Sequence, residues 1–315
     1  MSHIFEGAEK KLEIVIREGL SFFDWPEKNF IDLVDAAGTK ILSKIENPQC
    51  RAYLLSESSL FVWSDRITMI TCGQTTLVGA ALKACEFLNV EDIDTLVYER
   101  KNEYFPQYQK TDFYEDIRRL NEKIQGKAYR FGDTDEHYML IFHSNKPYKP
   151  HKDDTTLEIL MYGLTGRSRE IFNNPGFSAT EIRERTGVDK IFPGFQVDDY
   201  SFSPIGYSLN AIRDSQYYTI HVTPQDESPY VSFETNLPSR SEVQKTLHAV
   251  LEVFRPKSFD LIFFDTRSTP ERIEVPGYYR LSQVRQKVAC GYAVRYGHFT
   301  EASLEEQGAI GIEIK

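Results

Sequence analysis

Along most of the chain, apolar and polar positions alternate with a period near two, the mark of strands with one face turned to a core. A few stretches switch to the 3.6-residue spacing of amphipathic helices. Residues 4–17 alternate loosely and end in the strand-like run 12–17. Residues 29–42 carry a helical pattern, with Phe30, Leu33, Val34 and Ile41 on one side. Strand-like runs at 51–55 and 67–71 predict a β-hairpin around Ser56-Glu57-Ser58-Ser59, with a turn signal at Ser64-Asp65. An Ala- and Leu-rich helix is predicted over 75–88, capped by Thr75 or Thr76. Strands at 92–100 and 128–132 flank a loop through Pro106 and a helix over 113–124, and 137–143 is a further strand.

A polar connection rich in Lys and Pro, residues 144–154, separates two halves of about 1–150 and 151–315. The element order then recurs: a strand at 156–162, helices, a strand pair at 216–223 and 230–235, a long helix at 243–254, and strands at 259–264, about 273–281 and 288–296. Ser178 with Glu181, and Ser239 with Glu242, read as capping boxes that open helices. The acidic last dozen residues read as peripheral. Many antiparallel strands with helices in two equivalent halves predict sheet packed on sheet, with the helices outside.

The hairpin breaks the simple pattern. Tyr53, Leu55 and Phe61 surround one carboxylate and three hydroxyls in a strand that otherwise reads as buried. Buried hydroxyls left unpaired cost about 1–3 kcal/mol each, so these groups need partners or a task. Bulk properties narrow the tasks. With 37 basic and 47 acidic residues the net charge is −10, which disfavours nucleic acid and anionic membranes and suits a cationic substrate. There is no long apolar run and no basic-then-apolar N-terminus, so the expectation is a cytoplasmic protein. Cys50, Cys72, Cys85 and Cys290 lack metal-site or disulfide-framework spacing.

Seven stretches occur in order: Phe5-Glu6-Gly7-Ala8-Glu9-Lys10, Leu55-Ser56-Glu57-Ser58-Ser59, Thr71-Cys72-Gly73, Asp154-Thr155-Thr156-Leu157-Glu158, Pro204-Ile205-Gly206-Tyr207-Ser208-Leu209-Asn210, Thr219-Ile220-His221-Val222-Thr223-Pro224 and Tyr230-Val231-Ser232-Phe233-Glu234-Thr235-Asn236. Together they resemble the eukaryotic-type S-adenosylmethionine decarboxylases, pyruvoyl enzymes of polyamine synthesis. The resemblance implies an α+β fold, a four-layer α/β/β/α sandwich of two antiparallel sheets with outer helices, built from two similar halves. It implies one domain over 1–315 that cleaves itself into a short chain 1–57 and a long chain 58–315.

Amino-acid decarboxylation needs an electron sink, usually a carbonyl that takes up the substrate amine. No lysine stands in a convincing pyridoxal-phosphate context, and no metal set is evident. By the resemblance, the carbonyl is a pyruvoyl group made from Ser58 after its hydroxyl attacks the Glu57 carbonyl. His221 matches the base for that maturation, and Ser208 the hydroxyl that assists it. Cys72 matches the acid that returns a proton to the substrate. Glu6 and Glu9 match an acidic pair near the site. Phe5 and Phe202 match two rings that sandwich an adenine, with Leu55, Glu57 and Gln225 as further substrate contacts.

Glu13, Asp154, Thr156, Glu158 and Glu234 match a cluster that holds the dication putrescine in some members. Two positions depart from the pattern. Ile70 stands where stimulated members carry a lysine, and Gln225 where a glutamate holds the ribose. Diamine stimulation is therefore expected to be weak or absent, and affinity for the nucleoside lowered. The rival expectations are a pyruvoyl decarboxylase of ornithine or arginine, and an inactive paralogue that regulates a partner. A homodimer of processed protomers is compatible with the resemblance.

Overall fold

The structure is a computed structural model that describes residues 9–224, 229–237, 242–266 and 273–302. The first half forms β1 (Lys10–Ile16), α1 (Glu27–Ala36), β2 (Ile41–Glu46), β3 (Arg51–Leu55), β4 (Ser58–Val62), β5 (Arg66–Thr71), α2 (Leu77–Phe87), β6 (Ile93–Lys101), α3 (Phe113–Asn121), β7 (Gly126–Gly132) and β8 (Tyr138–Ser144). The second forms β9 (Thr156–Leu164), α4 (Gly166–Phe172), α5 (Ala179–Thr186), β10 (Gln196–Ser201), β11 (Tyr207–Arg213), β12 (Gln216–Thr223), β13 (Tyr230–Thr235), α6 (Val243–Phe254), β14 (Pro256–Asp265), β15 (Tyr278–Lys287) and β16 (Ala293–Glu301).

Each half is one eight-stranded sheet. The strand orders are β2-β3-β4-β5-β1-β6-β8-β7 and β10-β11-β12-β13-β9-β14-β16-β15, the same order with every number raised by eight. Every strand pairing is antiparallel. The duplication is therefore one of topology, and hairpin β3–β4 is the counterpart of β11–β12. Among the described residues, no helix is long and apolar enough to cross a membrane.

One apolar core lies between each sheet and its helices. On β1, Leu12, Ile14 and Ile16 join Phe30, Leu33, Leu77 and Leu120 of the first core. On β12, Tyr218, Ile220 and Val222 join Leu247, Val250 and Phe254 of the second. Side chains along a strand point alternately to its two faces. Lys11 and Glu13 on β1, and Tyr217, Thr219 and His221 on β12, therefore turn inward, toward the other sheet. That inner layer is closed to water yet strongly polar: Lys11, Glu13, Glu99, Glu158, Glu234, Asp260 and His221 are all under a tenth exposed.

The α/β/β/α layering matches the expectation, and several boundaries differ. α1 ends at Ala36 because Gly38 turns the chain at φ +80°, so Ile41 opens the edge strand β2 instead of ending a helix. The predicted hairpin is a three-stranded unit, β3-β4-β5, since Ser58–Val62 is a strand of its own. β15 begins later than expected, at Tyr278, and runs through the polar stretch to Lys287; β16 shifts with it. The exposed edge strand hides its alternation behind polar residues on both faces. The Ser178–Glu181 capping box forms in full, whereas Ser239 and the last dozen residues lie outside the described residues.

Candidate active site

The site begins at the turn of hairpin β3–β4. Leu55 pairs with Ser58 across a two-residue connection, Ser56-Glu57. Thr39 pins that connection, its Oγ1 accepting from the Glu57 N–H at 3.2 Å and meeting Ser56 Oγ at 3.0 Å. Ser58, the first residue of β4, has φ +136°. A side chain with a Cβ is strained in that region, by about 1–3 kcal/mol. Its hydroxyl is buried and has no hydrogen-bond partner. Leu55 is fully buried beneath the turn.

The Glu57 carbonyl, the acceptor nearest the strain, is held by Cys72, the residue after β5. The Cys72 backbone N–H donates to it at 3.1 Å, and the Cys72 thiol donates at 3.6 Å. Burial, reinforced by the nearby Glu57 and Glu9 carboxyls, pushes the thiol well above its ordinary pKa, so it is protonated at neutral pH. Thr75 Oγ1 donates to the Cys72 carbonyl at 3.0 Å. Gly73 takes φ +64°, and its carbonyl accepts from Lys10 Nζ at 2.9 Å. Burial lowers that lysine to about 8.

The second half supplies the imidazole. His221 on β12 lies opposite Ser208 on β11, and Ser208 Oγ sits 2.9 Å from Nδ1. Nε2 lies 2.9 Å from Thr219 Oγ1 and 3.2 Å from Ser59 Oγ, the residue after the strained one. Burial alone drives His221 down to about 3, so the ring is neutral. Phe202, half-buried, sits in the loop leading into β11; its N–H donates to the Gly206 carbonyl at 2.8 Å and its ring meets Tyr200 edge-on at 4.9 Å.

Glu9 is buried and pushed up to about 8 by desolvation, then by Glu234. It joins a charged cluster in the inner layer. Lys11 Nζ lies 2.7 Å from Glu158 Oε1, 3.0 Å from Glu234 Oε2 and 3.7 Å from Glu99 Oε1. Burial works against its charge, but Glu158, Glu234 and Glu99 outweigh it and hold Lys11 protonated. Tyr217 donates to the other oxygen of Glu234. Beside this cluster Arg66 grips Asp154 with two bonds of 3.1 and 2.7 Å, 3.9 Å from Glu13. Thr156 lines a small gap with Lys11, Glu13 and Glu99. Ile70 is the cross-strand neighbour of Lys11.

The structure thus brings Leu55, Glu57, Ser58, Cys72, Ser208 and His221 into one region, and Glu13, Asp154, Thr156, Glu158 and Glu234 into another. Phe5, Glu6 and Gln225 lie outside the described residues. The sequence pattern does not single out Ser59, Thr219 and Asn210 around the imidazole, or Lys11, Arg66 and Glu99 among the carboxylates. Period two holds the signal for two of them. Thr219 is two residues from His221, and Lys11 stands between Glu9 and Glu13, so each shares a strand face with groups already singled out.

A two-sheet sandwich with a strained serine, a neutral imidazole and a protonated thiol in one region is equipped as an enzyme, and the comparisons specify which family. The sequence profile of the adenosylmethionine decarboxylase family matches residues 2–300, and the chain belongs to that family. It is 32% identical to the S-adenosylmethionine decarboxylase proenzyme of Leishmania donovani, over 96% of this chain and 87% of the relative. It is 32% identical to the proenzyme of Xenopus laevis, over 85% of each. The solved Trypanosoma brucei AdoMetDC-delta26 monomer superposes with a TM-score of 0.61 at 26% identity, covering 78% of this chain and 99% of that one.

Proposed function

We propose that this chain is a self-processing, pyruvoyl-dependent decarboxylase of S-adenosylmethionine. It would yield carbon dioxide and the decarboxylated sulfonium that donates aminopropyl groups to polyamines. One observation carries the self-processing: the Glu57 carbonyl accepts from the Cys72 N–H while the strained, buried Ser58 keeps its hydroxyl unpaired. An N–H aimed at that oxygen stabilises the charge that develops when Ser58 Oγ adds to the carbonyl carbon. The C–N bond then breaks, the freed amine takes a proton, and an ester links Glu57 to Ser58 Oγ. Strain at Ser58 favours this shift by raising the amide relative to the ester.

Removal of the Ser58 Cα proton expels Glu57 as a carboxylate and leaves a dehydroalanine. Water enters, ammonia leaves, and residue 58 becomes a pyruvoyl group heading a chain of 58–315. His221, uncharged and 3.2 Å from the hydroxyl of the next residue, Ser59, is the base for that proton. The pyruvoyl carbonyl supplies the electron sink for decarboxylation. Cys72 donates a proton to the product, a role its raised pKa suits, since it carries a proton at neutral pH. Phe202, with Phe5, stacks the adenine at about 1–3 kcal/mol per ring, and Gln225 accepts from a ribose hydroxyl. Glu57 and Leu55 line the same turn.

For the acidic cluster we read a diamine subsite whose charges this chain already answers from within. Lys11 takes the place of one ammonium and Arg66 caps Asp154, so putrescine is expected to stimulate weakly. The missing lysine at Ile70 is replaced from the adjacent strand.

Mass spectrometry of the purified chain tests the whole reading. The expected result is a break between Glu57 and Ser58 without added protease, a pyruvoyl mass on the long chain, and carbon dioxide release from S-adenosylmethionine. A chain that stays intact on long incubation, with or without putrescine, would leave the regulatory paralogue standing. Release from ornithine or arginine but not from S-adenosylmethionine would reject the substrate.

A further inference from the structure

The polar side chains around His221 form a hydrogen-bond chain whose direction can be read from one end. Asn210 begins it. Its Nδ2 donates to the Tyr53 carbonyl of the facing sheet at 3.1 Å. The flipped amide would set two carbonyl oxygens against each other, so Oδ1 must face the other way. There it meets Ser59 Oγ at 2.6 Å and Thr219 Oγ1 at 3.0 Å. Oδ1 carries no proton and can only accept.

A hydroxyl has one proton to give. Ser59 gives its proton to Asn210, and Thr219 gives its own to Asn210 or to the Leu209 carbonyl, 3.0 Å away. What the two oxygens offer to His221 Nε2, at 3.2 and 2.9 Å, is lone pairs alone. With the Thr219 proton on either of these two carbonyl acceptors and not on the ring, Nε2 is the nitrogen that holds the ring proton. Nδ1 is the bare nitrogen, and it accepts from the Ser208 hydroxyl at 2.9 Å. None of Ser59, Ser208, Asn210, Thr219 and His221 is more than 6% exposed, so water does not compete for these directions.

We propose that Asn210 is a positioning residue that sets the tautomer of His221, making Nδ1, the nitrogen facing Ser208, the ring's proton acceptor. Its consequence for maturation rests on the self-processing reading of Glu57–Ser58. Any proton the imidazole takes from the serines of the turn, directly or through Ser208, enters at Nδ1. A histidine in the wrong tautomer keeps its place and loses its function as a base.

The test uses the full chain carrying Ser58→Ala, which cannot mature and stays in one covalent state. Long-range proton–nitrogen correlations of 15N-labelled protein, with His221→Gln to identify the ring, report the tautomer directly. The expected ring is neutral and protonated at Nε2. Asn210→Leu removes the acceptor and frees the Ser59 hydroxyl to donate to Nε2, so the proton should move to Nδ1. Asn210→Asp, with its buried carboxyl protonated on the oxygen that faces the Tyr53 carbonyl, keeps an acceptor in place and should keep the Nε2–H form. With Ser58 restored, Asn210→Leu should slow appearance of the long chain by about 10²-fold or more, and Asn210→Asp should recover most of that loss. A ring protonated at Nδ1 with Asn210 in place overturns the proposal, whether or not the leucine variant folds. So does an unchanged tautomer in a folded leucine variant. An Nε2–H ring in a chain that never cleaves with Ser58 intact would support the tautomer assignment and reject the self-processing reading instead.

Discussion

Both faces of the central strands of each sheet are buried, yet they differ in chemistry. The outer faces pack Leu12, Ile14, Ile220 and Val222 against helices through contacts that have no direction. The inner faces, meeting each other, hold Lys11 among three carboxylates and His221 among hydroxyls. An apolar contact tolerates small shifts at modest cost. A buried charge or hydroxyl does not, since each must meet a partner at about 3 Å or lose several kcal/mol. Both layers therefore contribute stability, while only the seam between the sheets demands a fixed geometry. Apolar clusters share the seam and help keep it dry: a small one with Phe61, Trp63 and Tyr217, and a large one that joins Phe131 and Ile141 of one sheet to Leu160, Ile262 and Phe264 of the other.

The sharpest contrast comes from cutting each layer once. Ser58→Ala should abolish cleavage at Glu57 altogether, and His221→Ala should stall as an ester that hydroxylamine opens. Leu247→Ala, in the fully buried outer core, should cost about 2–5 kcal/mol of stability and still cleave. Electrophoresis and denaturant unfolding of the three variants read both effects. Loss of cleavage in a folded Leu247→Ala chain would remove the distinction between the layers.

Lys11→Met probes the seam where charge is densest. It leaves Glu158 and Glu234 without their cation, and breaking such a buried arrangement costs about 3–5 kcal/mol. The outcome that would sharpen the comparison is chemical rescue: millimolar putrescine should restore stability and cleavage to Lys11→Met while changing the unsubstituted chain little. A variant as stable as its parent, or strong putrescine stimulation of the parent, would mean that Lys11 is not the resident cation.

The outer layers were legible in the sequence because their code is the alternation itself. Leu12-x-Ile14-x-Ile16 and the spacing of α6 announce which face packs. The inner layer defeats that code. Glu13, Glu158 and Glu234 alternate with apolar residues just as solvent-facing carboxylates would, and only the second sheet shows that no solvent is there. The resemblance supplied Ser58, Cys72, Ser208 and His221. It could not supply Lys11 and Glu99, whose meaning depends on a contact between strands 147 residues apart in sequence, Lys11 to Glu158. The strain at Ser58 is likewise a property of the folded turn, not of the residue type.

Cys72→Ala sits at the rim of the seam and should have a graded effect. The chain should still cleave, since the Cys72 backbone N–H remains on the Glu57 carbonyl. Turnover should be slow and self-limiting. Without a positioned acid the proton arrives at the wrong carbon, and an N-terminal alanine should accumulate on the long chain. Intact-mass measurement during turnover follows that alanine. Turnover like the parent's would return Cys72 to a half-buried thiol with no part in the chemistry.

The most gradual effect, spread over several pH units, is the most diagnostic of a polar interior. Glu9 is raised from 4.5 to about 8, chiefly by burial. Between those two values the folded chain keeps a proton on Glu9 that the unfolded chain has released. The unfolded state binds fewer protons, so this residue makes stability fall as pH rises from about 4.5 toward 8. Glu9→Gln is neutral at every pH and should lose that fall. Compared in the Ser58→Ala background, the two chains should be equally sensitive to denaturant at the acid end. They should then diverge in favour of glutamine by at most about 1.4 kcal/mol per pH unit, with other titrating groups cancelling in the difference. His221 acts with the opposite sign at lower pH, since burial lowers it from 6.5 to about 3 and protonation on unfolding erodes stability as pH falls below 6.5. No apolar outer-face residue can produce either slope. Parallel stability curves for the Glu9→Gln chain and its parent across this window would show that Glu9 is solvated and that the seam is wetter at this point than its geometry implies.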